Sequence, residues 1–295
     1  AGGDPLLRRE NLRWLARKAA ASLKRDRRVV LRVDDSVFAG PGRGPGWPNS
    51  YLGSVAGPVS SLALLGDRSR SRRANAIEAF RRALVRKGFT VVVRGDQRAP
   101  KDARVLAQIA PHTVRQAIKV MLSESENNVA EVLFRHTAIA SGQAPTWSGG
   151  RRAATALLRK LGIDTDRLRL MDGSGLSRSN RVTALALAQV ARLSRIDPRF
   201  ATMYAPGAMP TSGRSGTLDD RYGRYTSKPS RCARGKVRAK TGTLFDTIGL
   251  TGVTTARDGQ EKAFSILVNQ RPQRVSPLTT RRAVDGLAAT INGCW

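Results

Sequence analysis

Near the start of the chain, apolar positions recur at helical spacing. Leu12, Leu15, Ala16, Ala19 and Leu23 fall at i, i+3, i+4, i+7 and i+11, which predicts an amphipathic helix with one buried stripe. The β-branched run Val29-Val30-Leu31-Arg32-Val33 predicts a strand, and Gly40-Pro41-Gly42-Arg43-Gly44-Pro45-Gly46 predicts a loop. That loop places Pro where a phosphate cradle needs N–H donors, and no Gly-Lys-Ser/Thr follows it. Residues 67–74 carry Arg and Ser with almost no apolar side chain and read as a solvated connection. A helix with Ile77, Phe80 and Leu84, stopped at Gly88, and a strand from Phe89 to Val93 complete a small α/β unit over residues 10–102.

From residue 103 the pattern turns helical. Val114, Ile118, Met121 and Leu122 mark one helix, residues 128–140 a second, and Ala153, Ala154, Leu157, Leu158 and Leu161 a third that stops at Gly162. A fourth starts near Thr183. Strands follow at 237–240, 247–255 and 263–268, with Asp258-Gly259 as a hairpin signal between the last two. A closing helix carries Val284, Leu287, Ala288 and Ile291 in register. Helices, then an antiparallel meander, then a covering helix predict an α+β fold.

An AVILMFWYC share of 40% in 295 residues leaves ample material for a core. Charge changes the picture more. The 52 Lys+Arg against 22 Asp+Glu leave +30, which attracts polyanions: nucleic acid, anionic membrane surface or acidic wall polymer. The known nucleic-acid motifs are absent and aromatics are only 5%, so nucleic acid is not an expected partner. No stretch approaches the apolar length of a membrane-spanning helix. Ala1-Gly2-Gly3-Asp4-Pro5 has neither Met nor an apolar signal core, and Ala1 is expected to be a processing site or an engineered boundary. Cys232 and Cys294 lack C-x-x-C spacing. They fit two buried thiols, or one disulfide in an oxidising compartment. His112 follows Pro111 and His136 lies inside a helix, so both read as structural or merely exposed and a Ser-His-Asp triad is not supported. Glu124 with Glu126, and Asp219 with Asp220, read as surface charge.

Two short motifs carry chemistry. Lys240-Thr241-Gly242 closes a predicted strand, where Lys is a fixed cation, the Thr hydroxyl can bond a carboxylate, and Gly leaves room for a substrate backbone. The N–H of Thr243 can point at a developing oxyanion. Taken alone, the tripeptide also fits a basic edge strand turning at Gly. Ser125-Glu126-Asn127 interrupts two helical stretches; its Ser can pass a proton and its Asn can bond a substrate amide, although a helix cap would look the same. In this order, Ser-x-Asn followed by Lys-Thr-Gly matches the second and third signatures of the penicillin-recognising serine enzymes.

Further stretches narrow the resemblance: Met171-Asp172-Gly173-Ser174-Gly175-Leu176-Ser177-Arg178, Met209-Pro210, Ser215-Gly216-Thr217-Leu218, Gly2-Gly3-Asp4-Pro5-Leu6-Leu7 and Pro45-Gly46-Trp47-Pro48. Together they make the chain resemble the D-alanyl-D-alanine carboxypeptidase/endopeptidase family of the penicillin-binding protein 4 type. The resemblance implies a penicillin-recognising (β-lactamase/transpeptidase-like) domain with an inserted accessory domain. Residues 1–9 would end a first catalytic segment, 10–102 would be the insertion, and 103–295 the rest of the catalytic domain. It implies an extracytoplasmic serine peptidase acting on peptidoglycan peptides and binding β-lactam antibiotics, without metal or organic cofactor. Ser125, Asn127 and Lys240 would be catalytic, and Thr241, Gly242 and Thr243 would bind substrate. An extracytoplasmic location in turn favours a Cys232–Cys294 disulfide.

The family nucleophile belongs to a Ser-x-x-Lys motif, and no Ser or Thr in this chain has Lys three residues later. The expectation is the family layout with its first segment removed, that segment being a partner of this chain. The competing expectation is an inactive, basic, wall-binding homologue. A β-lactamase would need a deacylating carboxylate that the sequence does not identify. Arg-rich stretches at Arg8–Arg28, at Arg68, Arg70, Arg72 and Arg73, and at Arg81, Arg82, Arg86 and Lys87 are expected to form patches, which fit either a solvated basic surface or retention on anionic wall polymers or membrane headgroups.

Overall fold

The computed structural model describes residues 2–23 and 27–295. Ala1, the expected processing site or engineered boundary, and Lys24–Asp26, within the first Arg-rich stretch, lie outside the described residues. In chain order the elements are α1 (Arg9–Ser22), β1 (Arg28–Leu31), α2 (Arg72–Val85), β2 (Thr90–Val93), α3 (Val114–Glu124), α4 (Asn127–Ala140), α5 (Trp147–Lys160), α6 (Ala184–Ile196), α7 (Lys228–Arg231), β3 (Val237–Thr243), β4 (Ile248–Thr255), β5 (Glu261–Val268) and α8 (Pro277–Asn292). They form two compact units. The first joins Ala1–Thr113 to Asn127–Ala154 and Met171–Ser179; the second joins Val114–Glu126 to Thr155–Leu170 and Asn180–Trp295.

In the first unit the apolar stripe of α1 is buried as its spacing predicts, through Leu12, Ala16 and Ala19. Leu12 packs with Leu64 and Ala76, and Ala16 with Ala83 and Leu84 of α2, so small side chains bring the two helices close together. β1 and β2 pair in parallel with Val29 opposite Val91. Parallel strands need a crossover, which α2 supplies. The expected solvated connection at 67–74 requires correction. Helix α2 begins within it, Arg72 is buried and donates to the Pro58 carbonyl, and Arg73 is held at 2.6 Å by both Asp35 and Asp96. Acceptors distant in sequence turn these two arginines into structural ties, so they do not belong to a free patch.

Both histidines are structural. His112 Nδ1 lies 2.8 Å from Asp4, and His136 Nε2 lies 2.6 Å from the Gly3 carbonyl. The Gly-Pro loop is anchored from α4 and α5: Arg135 donates to the carbonyls of Ala39, Pro41 and Pro145 and stacks 4.2 Å over the Trp147 ring. The segment Met171–Arg178 folds around two buried carboxylates. Glu131 accepts the N–H groups of Gly173 (2.9 Å) and Ser174 (2.8 Å). Asp172 accepts from Trp47 Nε1 (2.7 Å), Gly175 N (3.1 Å) and Ser177 N (2.6 Å). Burial, and then the charge of Asp172, push the Glu131 carboxyl up to about 8.

In the second unit β3, β4 and β5 form an antiparallel sheet in that order. Val237, Ala239, Ile248, Leu250 and Phe264 on one face pack against Val284, Ala288 and Ala289 of α8. The Asp258-Gly259 hairpin forms as predicted, with Gly259 at φ 78°. Thr183 caps α6 by accepting the Ala186 N–H at 3.0 Å. A Cys232–Cys294 disulfide, with Cα atoms 5.9 Å apart, ties the end of α7 to the end of α8. Arg224 and Asp285 of α8 form a bidentate ion pair at 4% and 0% exposure, and Asp285 also accepts the Tyr225 N–H at 3.1 Å. Among the described residues, no helix is long and apolar enough to cross a membrane.

Candidate active site

The site grows from the outer edge of β3. Pro210–Ser212 pairs with only the first part of that edge, through Ala239 N–H to Pro210 O (3.0 Å) and Ser212 N–H to Val237 O (2.9 Å). Backbone groups alternate sides along a strand, so the N–H groups of Thr241 and Thr243 share the direction of Ala239 N–H and face the open remainder of the edge. The strand runs on to Thr243, beyond the predicted end at Lys240. Lys240 therefore stands mid-strand, held in register opposite Thr251. The extension comes from the tight turn at 244–247, closed by Leu244 N–H to Thr247 O at 2.8 Å. Buried Arg271 holds that turn by donating to the Phe245 carbonyl.

Alternation puts Val237 and Ala239 on the core face and Lys240 and Gly242 on the opposite one. Gly252 lets β4 come close to β3, since a Cβ there would collide with the Arg238 carbonyl at 2.1 Å. Gly242 is different. A Cβ there would meet nothing nearer than Gly249 N at 3.8 Å, so the fold itself does not demand Gly at this position.

Ser125 sits in the break between α3 and α4 at φ 54°, a left-handed conformation rare for a side-chain-bearing residue. This geometry aims its hydroxyl at β3, where Lys240 Nζ donates to Ser125 Oγ at 2.6 Å and to the Thr241 carbonyl at 2.8 Å. Burial lowers the Lys240 ammonium to about 8. Thr241 Oγ1 donates to Thr217 Oγ1 at 2.8 Å. Thr217 lies in the short turn of helix Gly216–Leu218, and its sequence signal is the Ser215-Gly216-Thr217-Leu218 stretch alone.

Five of the six expected site residues, Ser125, Lys240, Thr241, Gly242 and Thr243, thus lie in the second unit along one strand edge and the turn facing it. Asn127 opens α4 and belongs to the first unit, where its amide donates to the Val55 carbonyl at 2.9 Å. The arrangement offers a cation at a hydroxyl, a second pair of hydroxyls, and outward N–H donors on the part of the strand edge left unpaired among the described residues. That set can shuttle a proton, fix a carboxylate and hold an oxyanion.

The protein is similar to known carboxypeptidases over most of its length. It is 33% identical over 277 residues to carboxypeptidase DacB of Mycolicibacterium smegmatis, covering 90% of this chain and 58% of that protein. A carboxypeptidase of Mycobacterium tuberculosis is 30% identical, again across 90% of this chain and 58% of the relative. The chain thus spans less than two thirds of the length of the curated relatives it matches. Penicillin binding protein 4 (dacB) of Haemophilus influenzae shares the α+β fold, with a TM-score of 0.78 at 22% identity over 98% of this chain and 81% of that one. The sequence pattern of one family matches residues 52–291, and by that match the chain belongs to the D-Ala-D-Ala carboxypeptidase 3 (S13) family.

Proposed function

We propose that this chain forms one wall of the active site of a serine-type D-Ala-D-Ala carboxypeptidase/endopeptidase that cleaves peptidoglycan stem peptides and is acylated by β-lactams. The observation that carries the reading is the 2.6 Å contact of Lys240 with Ser125 beside the open edge of β3. The attacking serine belongs to the family's Ser-x-x-Lys motif, which has no counterpart in this chain. Its oxygen bonds to the carbonyl carbon of the penultimate D-Ala, and the C–N bond to the last D-Ala breaks. The hydroxyl proton leaves with the amine, and water then hydrolyses the ester.

Within that scheme Ser125 and Lys240 relay the proton to the leaving amine. A lysine held near 8 suits this role, because both its forms are populated close to neutral pH. Thr241 and Lys240 bind the terminal carboxylate, Gly242 gives the peptide room, and the Thr243 N–H supplies half of an oxyanion hole. Asn127 binds the substrate amide. Residues 10–102 are assigned to an accessory insertion and 103–295 to the catalytic domain. The disulfide supports an extracytoplasmic location. Support also comes from the relatives named as carboxypeptidases, and from a penicillin binding protein 4 determined in complex with a β-lactam.

The test compares two preparations treated with a fluorescent penicillin: this chain by itself, and this chain joined to an S13 segment carrying Ser-x-x-Lys. Only the second should be labelled. Stoichiometric labelling of a serine in the first, or none in a folded second, overturns the proposal. The net charge of +30 favours a second reading, retention on anionic wall polymer without catalysis, which the same comparison separates.

A further inference from the structure

We infer that a groove between α1 and α2 of the first unit is a binding site for an acidic glycan, a polysaccharide carrying carboxylate or phosphate groups. The groove has a volume of about 490 Å³ and is lined by Glu10, Arg13, Trp14, Arg17, Arg86 and Lys87. That volume falls within the range of about 300–1,000 Å³ typical of ligand sites. The groove belongs to the first unit and β3 to the second, and the inference does not depend on the acyl-transfer reading.

The wall chemistry selects the ligand. Arg13 and Arg17 are one turn apart on α1, and Arg86 and Lys87 follow the end of α2, where helix carbonyls favour cations. All four side chains are exposed. Among the described residues none of the four has a side-chain hydrogen-bond or ion-pair partner, whereas two neighbours on α2 are paired: Arg81 and Arg82 share the Glu78 carboxylate, each at 2.6 Å. Four cations against the single carboxylate of Glu10 leave the groove strongly positive. A concave positive surface concentrates anions.

Trp14 distinguishes a glycan from other polyanions. Its half-buried ring lines the groove, with Lys18 Nζ 5.6 Å from the ring centroid, so a flat apolar platform lies among the cations. A sugar ring offers an apolar C–H face to such a platform and carries its acidic groups at the rim. Insertion into a membrane would call for an exposed apolar stripe beside the cations. The apolar stripe of α1 is instead turned inward, through Leu12, Ala16 and Ala19. Single-stranded nucleic acid binds through successive stacked bases, which calls for more than one ring.

The test measures binding of the folded chain to alginate and to purified wall teichoic acid. Neutral dextran, anionic lipid vesicles and a single-stranded oligonucleotide serve as comparisons. Binding to both acidic glycans and not to dextran is expected, weakening about tenfold or more between about 50 and 200 mM salt as counterions compete. The variant R13Q/R17Q/R86Q/K87Q should lose at least about tenfold in affinity, whereas R159Q/K160Q/R167Q/R192Q, which removes equal charge from the second unit, should lose far less. Trp14→Phe should abolish the fluorescence change that alginate produces in the parent. Equal losses in the two quadruple variants overturn the site. Groove-dependent binding of vesicles or oligonucleotide in place of glycan overturns the ligand.

Discussion

Thr241 Oγ1 donates its proton to Thr217 Oγ1 across 2.8 Å, linking the middle of β3 to a turn 24 residues earlier in the chain. With that proton committed, the hydroxyl proton of Thr217 is the one left to point at an incoming carboxylate. Thr217→Val should therefore lower kcat/KM for a D-Ala-D-Ala peptide about tenfold, the worth of one hydrogen bond to a charged group, mainly through KM. Thr217→Ser should restore it. The measurement is made with the Ser-x-x-Lys segment present. An unchanged KM in Thr217→Val would show that the pair only supports the fold.

The Lys240–Ser125 contact makes a stronger demand. Lys240→Ala should reduce β-lactam acylation by about 10²–10³, as for loss of a transition-state donor. Stopped-flow acylation of a folded variant gives the answer, and a rate within a factor of two or three of the parent excludes the proton relay.

The same lysine predicts a pH signature in stability. Its folded value of about 8 lies below the unfolded value of 10.5, so between those two pH values the unfolded chain binds more protons. The penalty for burying the ammonium is therefore largest below about 8 and fades as pH rises towards 10.5. Lys240→Met removes that penalty. Urea unfolding should show the variant gaining most over the parent at neutral pH, with the gap closing in alkali. A gap that stays constant with pH would contradict the desolvated lysine.

Asp285 is completely buried and has Arg224 as its bidentate partner. Removing one member of such a pair leaves an uncompensated charge, so Asp285→Ala should destabilise the chain by about 3–5 kcal/mol. Equilibrium denaturation measures it, and a loss below about 1 kcal/mol would mean that Arg224 finds water instead.

The Cys232–Cys294 bridge spans 62 residues. Closing a loop of that length is worth about 4 kcal/mol in the chain-entropy model. Reduction, or Cys232→Ser with Cys294→Ser, should lower the thermal midpoint markedly. An identical midpoint with and without reductant would mean that the bridge is not formed.

Much of this architecture is legible in the sequence because it is local. The stripe of α1, the Thr183 cap and the Asp258-Gly259 turn each need only residues within a few positions of one another. Lys240-Thr241-Gly242 and Ser125 are legible as separate motifs. What escapes is pairing at a distance. Glu131 and Asp172 look like ordinary acids until the fold wraps the N–H groups of 173–177 around them. Arg72 reads as surface charge in an Arg/Ser run, yet the Pro58 carbonyl draws it inside. The extra length of β3 depends on Arg271 gripping a turn 26 residues away. Thr217 meets Thr241 only through tertiary structure, so no spacing rule exposes the pair.

The left-handed backbone of Ser125 sets thermal endurance against chemistry. At φ 54° any Cβ is strained, by about 1–2 kcal/mol. Glycine would relieve that strain while deleting the hydroxyl that Lys240 holds. Selecting variants of this chain for heat resistance alone should therefore enrich Ser125→Gly, a hardier protein without its proton carrier. Selecting for turnover should keep the strained serine and accept a lower melting point.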